Sequence, residues 1–429
     1  MALQSIDVPT PAALPRSGPA PAARLPSWPV TMLFALYPLW WLLGVADVIW
    51  VVAAVAMALY LRRARAVRAP RGFGLWLLFL AWAAASMVMT RSVGDLLGFG
   101  YRYAIYLSAT ALFVYVYNAR RALGPRFVAG ILTCWWLITV AGGFLGLLLP
   151  TVVVRTPMSH LLSASLQANE LVSAMVVRRF AQFNPDSYFA VGPRPSAPFL
   201  YTNNWGNVYS LLLPFVVLYL LQVRRERRRF TALLVMLPVS AVPAVLTLNR
   251  GMFLGVAIAL VYVGLRLALR RNLKAILTLA LVAVVGIGAY SVLPAQEGLQ
   301  SRLGGETNSN TDRSSLYIQA LGLVPHSPVL GYGGPQPADP PGSAPVGTQG
   351  QVWLLLVSHG PIAALCFVGF FALAFWRIRR RADPLGIACA TTLLVGTVEL
   401  GYYGVVPNGL PLMMIAAAVG LRGERAVRR

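Results

Sequence analysis

Long apolar runs separated by short arginine-bearing segments dominate the chain, and the lengths of those runs set the expected elements. A membrane-crossing helix needs about 20 apolar residues, or fewer where neighbours shield its ends. The run over 28–61 is too long for one such helix, and Gly44 with Asp47 marks a turn inside it, which predicts spans at 28–43 and 46–61. Ten more follow at 73–90, 97–118, 127–149, 199–222, 231–248, 252–269, 275–293, 351–376, 384–402 and 406–421. The expected fold class is all-α: a polytopic membrane protein of about 12 transmembrane helices, with two long outer loops, 150–198 and 294–350, containing short amphipathic helices. Residues 28–421 then make a single transmembrane domain. The Pro/Ala-rich segment 1–27 is expected to be a disordered cytoplasmic tail and 422–429 a basic cytoplasmic one.

Composition narrows the class. With 58% hydrophobic and 11% charged residues, the chain is more apolar than a soluble domain can hide. A formal charge of +23 would by itself raise a nucleic-acid partner, but the basic residues sit in short clusters between apolar runs, so no nucleic acid is expected. The clusters report topology instead, because short cytoplasmic loops collect arginine. With the N-terminus inside, the inner segments hold Arg62, Arg63, Arg65, Arg68 and Arg71, then Arg120, Arg121 and Arg126, then Arg224, Arg225, Arg227, Arg228 and Arg229. Arg270, Arg271 and Lys274 follow inside, then Arg377, Arg379, Arg380 and Arg381, and the C-terminal arginines. The outer segments hold fewer, namely Arg91, Arg102, Arg155, Arg178, Arg179, Arg194, Arg250, Arg302 and Arg313. The reading is a multi-pass protein of the cytoplasmic membrane with both termini in the cytoplasm, in contact with membrane lipids. Cys134, Cys366 and Cys389 lie in apolar runs without metal-ligand spacing and read as buried structural thiols.

Both long outer loops carry helical periodicity. Over 161–182, Leu162, Leu166, Val172, Met175, Val176 and Phe180 recur near helical spacing with Glu170, Arg178 and Arg179 between them, which predicts an interfacial helix. Leu316, Leu321 and Val324, behind Asp312 and Arg313, predict a second helix over 311–324 started by Asn310 or Thr311. Prolines and glycines then impose irregular backbone up to Gly350.

Candidate chemistry is sought where charge is unexpected. Arg250, in Leu248-Asn249-Arg250-Gly251, lies at the outer junction of two helices with almost no loop, so its charge faces the bundle mouth or the headgroups. It is either an interfacial arginine reaching for headgroups or an anion clamp. Arg194 opens a stretch that enters the sixth span with Asn203, Asn204 and Asn207. Those amides either cap and cross-link helices or hold sugar hydroxyls. Glu399 is a carboxyl within a span and a functional candidate on that ground, its alternative being a structural partner for an outer arginine. The remaining outer carboxylates are Asp95, Glu170, Asp186, Glu297, Glu306, Asp312 and Asp339. His160 and His326 fall in outer loops, while His359, before Gly360 in the tenth span, reads as a hydrogen-bonding residue of the bundle. No phosphate-binding loop, dinucleotide fingerprint, HExxH or Cys/His cluster is present, so no metal and no cofactor are expected.

Taken in order, several segments resemble the O-antigen ligase and O-antigen polymerase superfamily of bacterial envelope enzymes. Arg194-Pro-x-x-Pro-Phe-x-x-x-Asn at the sixth span is similar to that family's arginine and asparagine entry segment, and Leu248-Asn249-Arg250-Gly251 to its Ser-Arg-Gly corner. Arg313-Ser-Ser-Leu-Tyr, followed by His326-Ser327-Pro328-Val329-Leu330-Gly331-Tyr332-Gly333, resembles its arginine, aromatic and Ser-Pro-Leu-x-Gly-x-Gly loop. The resemblance covers roughly 28–420. At the place of the family ligases' His-Asn pair this chain has Gln349-Gly350, and glutamine cannot act as a general base. The base would come from elsewhere, with Glu399, Asp312 and Glu306 as candidates.

The resemblance implies a membrane glycosyltransferase, independent of metal, that moves a glycan from a polyprenyl-diphosphate-linked donor to a polysaccharide or glycolipid acceptor at the outer face. Arg250, Arg313 and Glu399 are then the expected catalytic residues. Arg194, Asn203, Asn207, Gln349 and Tyr332 are the expected substrate-binding ones. A transporter or flippase of lipid-linked sugars, or a noncatalytic binder of them, is the alternative; a transporter usually shows repeated halves, and no internal repeat is visible here.

Overall fold

The computed structural model describes residues 25–64, 66–183, 193–271, 273, 277, 309–340 and 343–422, with 309–312 in backbone alone. The expected span 275–293, most of the tail 1–27, the tail from 423 onward, Asp186, Glu297, Arg302 and Glu306, and the side chain of Asp312 lie outside the described residues.

Helices stand where the apolar runs lie. They are α1 (Trp28–Ala35), α2 (Tyr37–Leu43), α3 (Ile49–Arg63), α4 (Phe73–Ala85), α5 (Val93–Asn118) and α6 (Pro125–Leu148), with a 3-10 turn, Ser86–Met89, after α4. After the first long loop come α10 (Thr202–Gln222), α11 (Arg227–Leu246) and α12 (Arg250–Ala268), and after the second α14 (Gln351–Ile378), α15 (Pro384–Glu399) and α16 (Gly409–Leu421). Among the described residues, five helices (α6, α10, α11, α12 and α14) are long and apolar enough to cross a membrane, and shorter apolar helices cover Phe73–Met89, α15 and α16. Pro38 lacks an N–H and splits the first run into α1 and α2, and Gly44, in the left-handed conformation, ends α2 with its N–H on Trp40 and Trp41 carbonyls.

Burial sorts the helices into a centre and a periphery. Every residue of α16 is buried, as expected for a helix apolar on all sides. It packs against α5, α10, α14 and α15, while α6 covers α10 and α4 covers α14. Around this centre, Val52, Leu77, Leu97, Val261 and Leu365 are more than half or about half exposed on helix faces, the surface that lipid would cover. At one end, the arginine-rich one, guanidinium groups serve carbonyls at and just beyond helix C-termini: Arg381 donates to Gly420 O at 2.6 Å, Arg266 to Arg381 O at 2.5 Å and Arg422 to Leu123 O at 2.6 Å. Cations there also oppose the negative ends of the helix dipoles. These arginines therefore do structural work beyond setting topology.

At the other end, here called the mouth, the first long loop departs from the expected single interfacial helix. It forms β1 (Val153–Arg155), the short helices α7 (Pro157–Leu161), α8 (Ala164–Gln167) and α9 (Glu170–Val176), and β2 (Val177–Arg179), β3 (Ala181–Gln182) and β4 (Arg194–Pro195). Asn169 caps α9, its side chain accepting from Leu171 and Val172 N–H, and the chain then extends at Val177 so that β2 pairs antiparallel with β1. Strand alternation turns Arg178 inward and leaves Arg179 exposed. Arg178 Nη2 meets Asp47 Oδ2 at 2.8 Å, with both side chains almost wholly buried. The reading of Arg178 as the polar face of an interfacial helix is corrected by this pair, which ties the loop to the turn before α3.

The second loop opens on α13 (Ser309–Leu323), close to the expected helix, and returns to α14 in irregular form. α14 is broken at Gly360 (φ 79°, ψ 173°), because a residue before proline avoids helical backbone and Pro361 has no N–H for Val357 O. The loop supplies the missing donors: Tyr332 N–H reaches Val357 O at 2.9 Å and Gly333 N–H reaches Ser358 O at 2.8 Å. This keeps buried carbonyls satisfied where no water is available.

Arg178→Leu leaves the Asp47 carboxylate buried and unpaired. The expected cost is about 3–5 kcal/mol of stability, read as a lowered unfolding temperature in detergent relative to wild type.

Candidate functional site

Three helix starts meet at the mouth. α10, α12 and α14 all begin there, so the positive ends of their dipoles face the same region. The turn between α15 and α16 joins them. Tyr403 O accepts from Gln351 N–H at 2.8 Å and Leu400 O from Val352 N–H at 3.0 Å, which caps α14. The Tyr403 hydroxyl donates to Asn249 Oδ1, and Asn249 Nδ2 donates to Thr202 O at 3.1 Å, linking the starts of α12 and α10. Tyr402 packs edge-on against Tyr403, 4.9 Å between ring centroids, and donates to Gly251 O at 3.2 Å. One tyrosine pair thus holds three helix starts together.

The arginines singled out from the sequence lie around this pair. Arg194, half-buried, donates from Nε to Thr247 O at 2.8 Å, while its own carbonyl accepts from Thr202 Oγ1 at 3.4 Å. Arg250 is the first residue of α12, behind Asn249, and is half-buried. Arg313 lies near the start of α13 and is half-buried. α13 is seated by Tyr317, whose ring stacks on Trp353 at 4.4 Å and whose hydroxyl donates to Gln349 O at 3.3 Å. Trp353 Nε1 in turn donates to Gly401 O at 2.9 Å. Burial pushes the Tyr403 phenol well above its ordinary pKa and nearby Glu399 pushes it further, with Arg313 and Arg194 pulling the other way. Both guanidinium groups therefore act on the same phenol. Burial likewise raises Tyr402 and Tyr317, so all three phenols stay protonated at neutral pH and can donate hydrogen bonds.

Glu399 and Asn207 meet each other instead of opening to the mouth. Glu399 has no exposed surface, and its oxygens accept from Asn207 Nδ2 at 2.6 Å and Ser210 Oγ at 2.7 Å. This cross-links α10 to α15 under the tyrosine pair. Asn207 Oδ1 is buried without a hydrogen-bond partner. A general base and a sugar-binding amide both need a path to substrate, and burial takes that path away from these two side chains.

The other expected residues divide. Asn203 is half-buried in the first turn of α10. Gln349 is half-buried beside Tyr317, with its Nε2 3.5 Å from Thr348 Oγ1. A side chain at Gly350 would place Cβ 2.6 Å from Gly401 O, which explains why this position holds glycine and not asparagine. Tyr332 turns into a small apolar cluster: its hydroxyl donates to Leu323 O at 3.0 Å and its ring packs against the group formed by Leu316, Ala320, Val346 and Val357. His160 and His326 are exposed, and His359 is buried with Nδ1 2.6 Å from Ser86 Oγ. Sequence reasoning passed over Tyr402, Tyr403, Asn249 and Trp353. The Gly401-Tyr402-Tyr403-Gly404 turn was the signal, since polar rings at the end of a span ask for partners. Among the described residues, no group of three His, Cys, Asp or Glu is arranged to hold a metal ion.

Glu399→Gln keeps an acceptor for Ser210, and rotation of the Asn207 amide lets its unpaired Oδ1 take the new N–H, so stability is expected to change little. Glu399→Leu strands Asn207 Nδ2, while Ser210 Oγ keeps Asn207 O at 2.9 Å as acceptor, and a loss of about 1–3 kcal/mol is expected in thermal unfolding.

Residues 239–353 match the family model for the O-Antigen ligase domain. No curated protein matches the chain. The matched stretch runs from within α11 to the first turn of α14, and so contains Arg250, Arg313, Tyr332 and Gln349 but not Arg194, Asn207 or Glu399. Residues 239–353 thus resemble an O-antigen ligase domain, within a chain whose apolar helices, long enough to cross a membrane on both sides of this stretch, suggest a multi-pass membrane protein.

Proposed function

We propose that the protein transfers a glycan from a polyprenyl-diphosphate-linked donor to an acceptor hydroxyl on a polysaccharide or glycolipid, at the outer face of the cytoplasmic membrane. The observation that carries this reading is the gathering of Arg194, Arg250 and Arg313 around Tyr403, where the positive ends of three helices point, within and beside the matched family segment. In the transfer, the acceptor oxygen bonds the anomeric carbon, the bond from that carbon to the diphosphate oxygen breaks, and the acceptor proton is released. A diphosphate is already a good leaving group, so the useful help is positive charge that strengthens its hold as the bond breaks. Arginine suits that role because its fork meets phosphate oxygens in pairs.

In this scheme Arg250 and Arg313 hold the diphosphate, with Arg194 beside them. The neutral phenols of Tyr402 and Tyr403 keep the helix starts in place, and Glu399 with Asn207 locks α10 to α15 below. Asn203 and Gln349 remain the amides with access to a sugar. For the acceptor proton, the candidate is Asp312, next to Arg313 in sequence. The groove between helices contributes by holding a long lipid donor in place.

A second reading has one observation in its favour. Gln349 stands at the family ligases' histidine position, which suits a binder of lipid-linked glycan that has lost transfer. A fluorescent polyprenyl-diphosphate oligosaccharide, given to the purified protein with acceptor, separates the two by release of lipid diphosphate. Turnover is expected, with Arg250→Ala and Arg313→Ala each lowering it by roughly a hundredfold at unchanged expression. Donor binding with no release under any acceptor would favour the binder.

A further inference from the structure

Another cation lies toward the mouth end of α5. Arg102 is in the mouth-end half of α5, and its guanidinium lies against Gly98 and Gly334. Nη2 makes a long hydrogen bond, 3.4 Å, to Gly333 O, while Nε is buried without a partner. Asp95 is the carboxylate that acts on it among the described residues, but Asp95 Oδ2 already accepts from Ser92 N–H at 3.1 Å in the cap of α5. No ion pair to Arg102 occurs among the described residues.

Its surroundings are polar on one side and lipid-facing on the other. His359, 1% exposed, lies close enough to feel the Arg102 charge. Ser86 Oγ donates to Ala83 O at 2.7 Å, so the 2.6 Å contact between Ser86 Oγ and His359 Nδ1 requires the proton on Nδ1. His359 Nε2 is then a buried acceptor without a partner. On the outside, Met87, Val88, Val93, Leu96 and Leu97 are between 45% and 75% exposed and flank the start of α5. A cation this far into an apolar surface costs free energy unless an anion meets it.

We propose that Arg102, with the first turns of α5 and the Gly331–Gly334 loop, holds the phosphodiester headgroup of one membrane phospholipid whose acyl chains lie on the exposed residues around Val93 and Leu97. Charge selects this ligand class. One fixed cation matches a phosphodiester, which carries a single negative charge, whereas a diphosphate needs the several arginines of the mouth. The positive end of α5 is already met by Asp95 in its own first turn, so the charge of the site rests on Arg102. The site also has a structural consequence. Arg102 touches the Gly333 carbonyl, and the Gly333 N–H fills Ser358 O at the break in α14, so a bound headgroup steadies the loop that completes α14.

Bound lipid is counted by native mass spectrometry on protein delipidated in detergent and then given phosphatidylglycerol, a diacylglycerol glucoside lacking phosphate, or inorganic phosphate. One phosphatidylglycerol per chain is expected on wild type, with Arg102→Gln weakened roughly tenfold or more and Arg102→Lys weakened less. Arg250→Ala is expected to retain the lipid, which keeps this site distinct from the proposed donor site whether or not transfer is observed. Equal retention by Arg102→Gln, with the same elution volume and helical content as wild type, would overturn the proposal. So would equal binding of the glucoside, or displacement of the lipid by millimolar inorganic phosphate.

Discussion

Inside a bilayer every backbone carbonyl must find a donor within the protein, and the break in α14 makes that constraint decisive here. Pro361 removes the donor for Val357 O and the Gly360 conformation removes that for Ser358 O, so the chain after α13 must return to supply Tyr332 and Gly333 N–H. That return sets where α13 can lie. Tyr332 holds the end of α13 through Leu323 O, and Tyr317 seats its middle on Trp353, so Arg313 is carried to the mouth by interactions that begin at an unsatisfied pair of carbonyls.

A second layer of the same logic sits beneath the mouth. Polar side chains within the bundle bond to one another: Glu399 to Asn207 and Ser210, Tyr403 to Asn249, Gln351 to Tyr106 at 3.2 Å, and Tyr37 to Asn408 at 2.8 Å. Each bond joins helices distant in sequence. The polar groups that look most chemical in an apolar segment are therefore spent on assembly, and the groups left facing the mouth are the arginines. Arginine is suited to remain there, since its apolar stem packs while its head stays charged.

Two cations, Arg178 buried and Arg102 half-buried, illustrate different solutions to one cost. Arg178 is neutralised within the chain by Asp47, and the pair fastens the first loop. Arg102 has only a long bond to a carbonyl, and its opening toward lipid makes the membrane itself the source of its counter-charge.

The apolar helices among the described residues were legible from hydrophobic run length, down to the turn at Gly44, because spanning a bilayer demands a length and a composition that few other structures require, and the helix that carries Arg313 was legible from its periodicity and start signal. The position of Arg194, Arg250 and Arg313 at one end of the bundle was legible too, since charge near an apolar end is conspicuous. What the run lengths could not say is which way a polar side chain turns. Whether Glu399 and Asn207 face substrate or each other, and whether Arg178 lies on a helix surface or inside a strand pair, depends on neighbours well over a hundred residues away. The sequence by itself determined a membrane-spanning helical bundle with arginines at its mouth, because local apolarity and charge act residue by residue. Only the tertiary structure decided which polar groups hold the bundle together and which remain at its mouth, because a buried hydrogen bond is made by whichever partner the packing brings within reach.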